Sequence, residues 1–506
     1  MAAGTTSQPS DPQPQRWLAP LVAVVVFAVP YLLFDRLILY QFYLRGSFLL
    51  DSGLLAGLIW HDAATFSLPP SLGGENFFAF HAAPLLWLLS AASELFPVSM
   101  AQWFAGFIGV CHGLLALAIF WLLVAGFGMR RGALLALAAA TAVAFACNGL
   151  ALAIARYPHF ETFGAAGLLF CCVALVLGWP KIAAVALLVA LTTREDIGLH
   201  AFAFLSVWAV ANRLAGLPWR HSAWILGLAL AGALASVAAL VAQHLAFPGH
   251  SSFVRVYLGD PPYAHLTANL LLVRLGGWLM VHGANILLPA IAALVWAART
   301  RNPFVLAGYL ACLPWALLHV LAASELAGWM VGYYAYPFLI AMAWPLLAVA
   351  IRRQQIAVPP TPAWAPATGL LALVALSLLP VGHDYDPGRI TLPDAFWRAP
   401  STAQQAATDR AIATIAAARP LLGRLEVDNS VAALAPFAFG RAEVATWAEG
   451  TPDTAVRFAD GFDAAKLRAL PGLPRRYRVI GTELRLATNR ADAVMRSLDI
   501  PLLPDP

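Results

Sequence analysis

Charge is what this sequence has least of. Asp, Glu, Lys and Arg make up 11% of its 506 residues and hydrophobic residues 61%, whereas charged residues are about 25% of an ordinary soluble domain. A chain so poor in charge cannot be solvated by water over its whole length, which excludes a soluble globular protein. Cysteine is scarce as well. Cys111, Cys147, Cys171, Cys172 and Cys312 lie in apolar stretches without metal-ligand spacing, which leaves them a packing role. There is no Walker A loop, no GxGxxG, no HExxH and no Ser-centred nucleophile elbow. An enzyme built on this chain would therefore take its driving force from a pre-activated substrate. Internal repeats and heptads are missing too.

The few charges are unevenly spread. Val381 to Pro506 holds 15 acidic and 15 basic residues, more than half of all the charges, and the first 380 residues hold 11 acidic and 16 basic ones and so supply the whole net charge of +5. The split divides the chain into a polar, disordered, cytoplasmic N-terminus (1–16), a polytopic membrane domain (17–380) and a soluble extracytoplasmic domain (381–506). The pI near 9.0 does not signal a nucleic-acid partner, because the excess basic residues sit in short loops beside apolar segments.

A span needs about 20 apolar residues. Helices are expected near 17–40, 98–126, 132–155, 162–178, 181–193, 196–212, 223–246, 277–298, 303–322, 329–351 and 363–380. The run from Trp17 to Phe34 is too long for a signal-peptide core and reads as a retained first helix. The apolar run 79–96 is ambiguous, and the positive-inside rule resolves it. With a cytoplasmic N-terminus and 79–96 lying on the outer surface, Arg16, Arg130, Arg131, Lys181, Arg213, Arg220, Arg299, Arg301, Arg352 and Arg353 all fall inside. Asp51, Asp62, Glu75, Glu94, Glu161, Glu195, Asp196, Asp260 and Glu325 then fall outside. The expectation is an all-α polytopic protein of the cell inner (plasma) membrane with about eleven spans, an outer loop at 41–97 with juxtamembrane helices, and a small C-terminal α/β domain. In that domain 402–419 reads as helix, and 424–428, 443–447 and 477–486 read as strands. The glycine pairs Gly53/Gly57 and Gly109/Gly113 read as helix-packing positions.

Three outward clusters can carry chemistry. The first is the loop after helix one, with Asp51, His61, Asp62, Glu75, Asn76 and His81. Asp51 opens a short amphipathic helix, where it can act as a base or simply cap the helix. The second is Arg156-Tyr157-Pro158-His159-Phe160-Glu161, a tight turn dense in polar groups. The third is Arg194-Glu195-Asp196, three charges inside a 32-residue apolar stretch. Such charges are costly unless they line a wet cavity or pair with one another, so both a structural ion network and a functional site are open. Isolated histidines such as His112, His244 and His282 read as core residues. Asp384-Tyr385-Asp386, formally DxD, reads as linker.

At these clusters the chain resembles the prokaryotic membrane proteins grouped as domain of unknown function 2079. The matching stretches are Phe48-Leu49-Leu50-Asp51-Ser52-Gly53-Leu54, Asn76 to Pro84, Tyr157-Pro158-His159-Phe160-Glu161, Thr193-Arg194-Glu195-Asp196-Ile197-Gly198, Tyr333 to Phe338 and Ser430 to Ala433. Departures are Ser52 in place of Leu, Tyr333 in place of His, and an altered spacing of His159 and Glu161. The layout resembles the GT-C glycosyltransferases, polytopic enzymes that transfer a sugar from a polyprenyl-phosphate carrier. That resemblance implies Asp51 or Asp62 as general base. It also implies substrate-binding roles for His81, Arg156, His159, Glu161, Arg194, Glu195 and Asp196, with Arg194 or Arg156 facing the departing phosphate. Membrane lipid and a polyprenyl-phosphate sugar donor are the expected partners. A divalent cation is left open as cofactor, and so is the oligomeric state. A transporter or flippase of lipid-linked glycans and a non-catalytic membrane assembly protein are the alternatives.

Overall fold

The computed structural model describes residues 17–44, 54–55, 57–59, 66, 76–95, 98–248, 253–355, 362–379, 398–435, 437–445, 447–448, 450–458 and 472–505. The N-terminus, Asp51, His61, Asp62, Glu75 and Asp384-Tyr385-Asp386 lie outside the described residues.

Helix α1 (Leu18–Leu44) is followed by a short helix α2 (Leu85–Ser93). Then come α3 (Met100–Trp121, prolonged by a π turn to Gly126), α4 (Gly132–Ala146), α5 (Gly149–Ala155), α6 (Glu161–Val176), α7 (Pro180–Leu191) and α8 (Ile197–Leu214). The body continues with α9 (Trp219–Ala246), α10 (Ala268–His282), α11 (Leu288–Thr300), α12 (Ala307–Val320), α13 (Glu325–Gly328), α14 (Pro337–Gln355) and α15 (Trp364–Ser377). Among the described residues seven helices are long and apolar enough to cross a membrane, eight if α4 and α5, bent by 41° at their break, form one span. Three shorter apolar helices, α6, α7 and α15, stand where three more of the eleven expected spans were placed. The chain is a multi-pass membrane protein with a mostly helical body.

Close helix contacts are made where glycine allows them. A Cβ on Gly109 would come within 2.6 Å of the Tyr31 carbonyl, one on Gly113 within 2.7 Å of the Phe27 ring, and one on Gly198 within 2.0 Å of the Gly232 carbonyl. The first two fix α1 antiparallel on α3, and the third seats α8 against α9. Such approaches replace the hydrophobic drive that lipid removes. Helix α2 has nine residues, about 13.5 Å, too short for a hydrocarbon core of about 30 Å. Ser90 Oγ donates to the Ile59 carbonyl at 2.7 Å, and Leu85 N donates to Thr192 O at 2.8 Å, so α2 lies across one end of the bundle. The antiparallel run brings that end together from the close of α1, the α5–α6 turn, the α7–α8 break and the start of the C-terminal domain. Arg130, Arg131, Lys181, Arg213, Arg220, Arg299, Arg301, Arg352 and Arg353 gather at the other end.

The C-terminal domain is a five-stranded sheet in the order β1 (Leu425–Val427), β2 (Thr454–Phe458), β4 (Leu484–Thr488), β3 (Arg475–Val479), β5 (Leu502–Pro504). Its β1–β2 pair is parallel and the others antiparallel. Helices α16 (Thr402–Ala417), α17 (Asn429–Leu434) and α18 (Asp492–Arg496) accompany it. Two strand expectations are corrected. Among the described residues of 443–447 there is no strand, and Val444 makes an isolated bridge to Val427. The stretch 477–486 is a hairpin, broken where Gly481 takes φ 79°. Strand β2 was not expected: all five of its residues are buried, so it has no alternating pattern to read. The buried Arg457 pairs there with Glu426. The domain rests on the bundle end that carries α2. Tyr43 Oη donates to Asp409 Oδ1 at 3.1 Å, and Ala433 is fully buried in the same cluster as Phe34, Phe42, Phe104 and Phe160.

Candidate functional site

Helix α7 has twelve residues, about 18 Å, and cannot cross a membrane alone. The break after it therefore carries Arg194, Glu195 and Asp196 into the bundle, where their charges must find partners. Arg194 is 4% exposed and Glu161 not at all. The guanidinium donates from Nη1 to Glu161 Oε1 at 2.7 Å and from Nη2 to Asp196 Oδ2 at 2.8 Å, with Nε 3.9 Å from Glu195 Oε1. Glu161 opens α6, where the helix dipole favours a carboxylate, and its second oxygen meets His159 Nδ1. Asp196 sits at the start of α8 and makes no side-chain cap bond, because its carboxylate is turned onto Arg194.

Glu195 faces the other way. It accepts from the backbone of Ala82 at 2.9 Å and lies 3.0 Å from His81 Nδ1. The His81 side chain is 30% exposed. Local chemistry fixes this loop. The Asn76 side chain accepts from Phe78 N at 2.8 Å to cap the turn Phe77–Ala79, and Gln243 Nε2 donates to Phe78 O at 2.8 Å.

The network thus joins His81, His159, Glu161, Arg194, Glu195 and Asp196 from three remote stretches of chain. Three carboxylates surround one guanidinium. Arg194 therefore has its terminal nitrogens on carboxylates and does not present its fork outward as the sequence suggested. The excess of acid around it is the physical reason. Arg156 caps α5 in the same turn as His159 and is half-buried. Among the described residues Asp196 Oδ1 and Tyr336 Oη are buried without a hydrogen-bond partner. No three His, Cys, Asp or Glu side chains among the described residues could hold a metal ion.

Sequence reading passed over two features. One is a strap. Arg274, Trp278 and His282, one turn apart on α10, bond the carbonyls of Val320, Gly328 and Trp329 at 2.8, 3.0 and 3.0 Å. This holds the segment whose Tyr333 ring stacks on His159 at 4.2 Å. The i, i+4, i+8 spacing of three polar groups on an apolar helix was the available signal. The other is Arg255, exposed, its guanidinium 5.0 Å above the ring of Phe80, the residue before His81. His112 and His282 are core residues bonded to the carbonyls of Ala146 and Trp329. His244 is instead exposed in the last turn of α9.

No protein-family model matches the chain, and no curated protein matches it. Two solved structures of ArnT from Cupriavidus metallidurans are similar over nearly the full length. One, bound to undecaprenyl phosphate, is 16% identical at a TM-score of 0.49, covering 95% of this chain and 98% of that one. The other, in the apo state, is 16% identical at a TM-score of 0.44, covering 96% of this chain and 99% of that one.

Proposed function

We propose that this protein is an integral-membrane glycosyltransferase that moves a sugar from a polyprenyl-phosphate carrier to an acceptor on the outer face of the plasma membrane. The observation that carries the reading is the buried network of Glu161, Arg194, Glu195, Asp196 and His81, gathered at the bundle end on which the C-terminal domain rests. A lipid-phosphate donor needs no nucleotide loop, and the chain has none. The resemblance of the quoted segments to domain of unknown function 2079, and of the layout to GT-C enzymes, points the same way.

In the reaction the acceptor oxygen attacks the anomeric carbon. The bond from that carbon to the phosphate oxygen breaks, and the acceptor proton passes to a base, Asp51 or Asp62. The departing phosphate needs cations that are not already neutralised. Arg255 beside Phe80 fits that need, and Glu195 holds His81 next to it. Arg194, Glu161, Asp196 and His159 act as the rigid support that positions Glu195. Glu195→Gln and Arg255→Gln should each keep the expression level and lower transfer by on the order of 10²-fold, with Arg255→Gln also raising KM for the donor. Full transfer by both variants would remove this assignment of the phosphate site.

The topology belongs to the same proposal: N-terminus cytoplasmic, C-terminal domain outside. Cysteines placed at Asn76 and Ser99 should both react with an impermeant maleimide added to whole cells. Labelling of Ser99Cys only after the cells are opened would overturn this arrangement.

A further inference from the structure

Gly57, a packing position by its sequence, meets a side chain of the C-terminal domain. Residues 54, 55, 57, 58 and 59 are helical, and Leu54, Leu55, Leu58 and Ile59 are buried in one cluster with Phe42 of α1, Leu86 of α2 and Phe104 of α3. The Ser90–Ile59 bond ties this short helix to α2. Elsewhere on the helix Gly57 faces Trp447: a Cβ at Gly57 would lie 3.0 Å from Trp447 Cη2 and 3.2 Å from Cζ3, inside the optimal carbon–carbon separation of about 3.5–4.0 Å. Glycine is what lets the indole lie this close.

Trp447 is itself held. Its N donates to Val444 O at 2.8 Å and Ala445 N donates to Val427 O at 2.7 Å, which fastens this turn to β1. The Arg441 guanidinium lies 5.2 Å over the indole. Trp447 packs at once against the bundle-end cluster and against the core of the sheet, so it transmits the position of the sheet to helix 54–59. Asp51 stands three positions before Leu54 and Asp62 three positions after Ile59, and both candidate bases are thus tethered to the helix that Trp447 seats.

We infer that Trp447 is a positioning residue of the transfer reaction, through which the C-terminal domain seats helix 54–59 and so sets the approach of the base to the acceptor hydroxyl. The inference rests on the glycosyltransferase reading. A group that only aims the base acts on kcat and leaves donor binding alone.

Initial rates on polyprenyl-phosphate hexoses and pentoses, with the purified full chain in bilayers, test it beside the thermal midpoint and hydrogen exchange of the 54–59 amides. Trp447→Ala should lower kcat about tenfold, short of the roughly 10²-fold that a 1 Å misplacement can cost, with KM for the donor unchanged and faster exchange at 54–59. Gly57→Ala improves helix propensity, so a purely structural role predicts an equal or higher midpoint and unchanged kcat. The positioning role predicts that Gly57→Ala lowers kcat several-fold because its methyl displaces the ring. Adding Trp447→Phe, whose smaller ring stops short of that methyl, should restore most of the loss, and this pair decides the matter even if Trp447→Ala fails to fold. Active wild type with unchanged kcat in Gly57→Ala, or a loss in Gly57→Ala that Trp447→Phe does not relieve, would overturn the inference alone. Wild type inactive on every donor would overturn the glycosyltransferase reading and this inference with it.

Discussion

Arg194→Ala should leave almost no folded protein. Its guanidinium is the shared partner of Glu161 and Asp196, both buried, and it lies near Glu195. Removing one partner of a buried ionic set costs about 3–5 kcal/mol, since the remaining charges keep their desolvation penalty without compensation. A protein's whole stability is about 5–15 kcal/mol, so this loss is severe. The monodisperse peak of the detergent-purified protein, and its thermal midpoint where a peak survives, provide the measurement. Arg194→Lys should recover part of the peak, because it restores charge but not the two-pronged fork. Adding Glu161→Gln to Arg194→Ala should recover part as well, because it removes one of the stranded carboxylates. An unchanged peak and midpoint for Arg194→Ala would refute the supporting role given to this residue.

Asp51→Asn should do the opposite, leaving the fold intact and removing function. Asn caps a helix as well as Asp does, so a residue that only caps would tolerate the change. A general base cannot, and its loss costs on the order of 10²–10⁴ in rate. Transfer measured in membranes at matched expression separates the two roles. Wild-type transfer by Asp51→Asn would pass the base to Asp62.

The spans were legible because each is a local property: about 20 apolar residues in a row, bounded by arginines at one end and carboxylates at the other. The Arg194-Glu195-Asp196 break was legible for the same reason, as three charges interrupting an apolar run. Their partners were not. Glu161 lies 33 positions before Arg194, and His81 lies 114 positions before Glu195, and no periodicity links such positions. Sequence reading therefore gave Arg194 a phosphate, whereas the fold surrounds it with carboxylates. Arg255, in the short helical turn Val254–Leu258, escaped notice because an arginine between two apolar spans is ordinary until Phe80 is seen beneath it. Strand β2 escaped because burial on both faces erases the two-residue period.

The central claim is that the chain turns over a polyprenyl-phosphate-linked sugar. Purified protein in bilayers should be given a panel of polyprenyl-phosphate hexoses and pentoses together with a membrane extract as acceptor source, and free polyprenyl phosphate should be followed by mass spectrometry. At least one donor should release polyprenyl phosphate with wild-type protein, and Asp51→Asn and Glu195→Gln should release little. Intact donors recovered on the far side of the bilayer, with no polyprenyl phosphate released from any of them, would contradict the claim and identify a flippase instead.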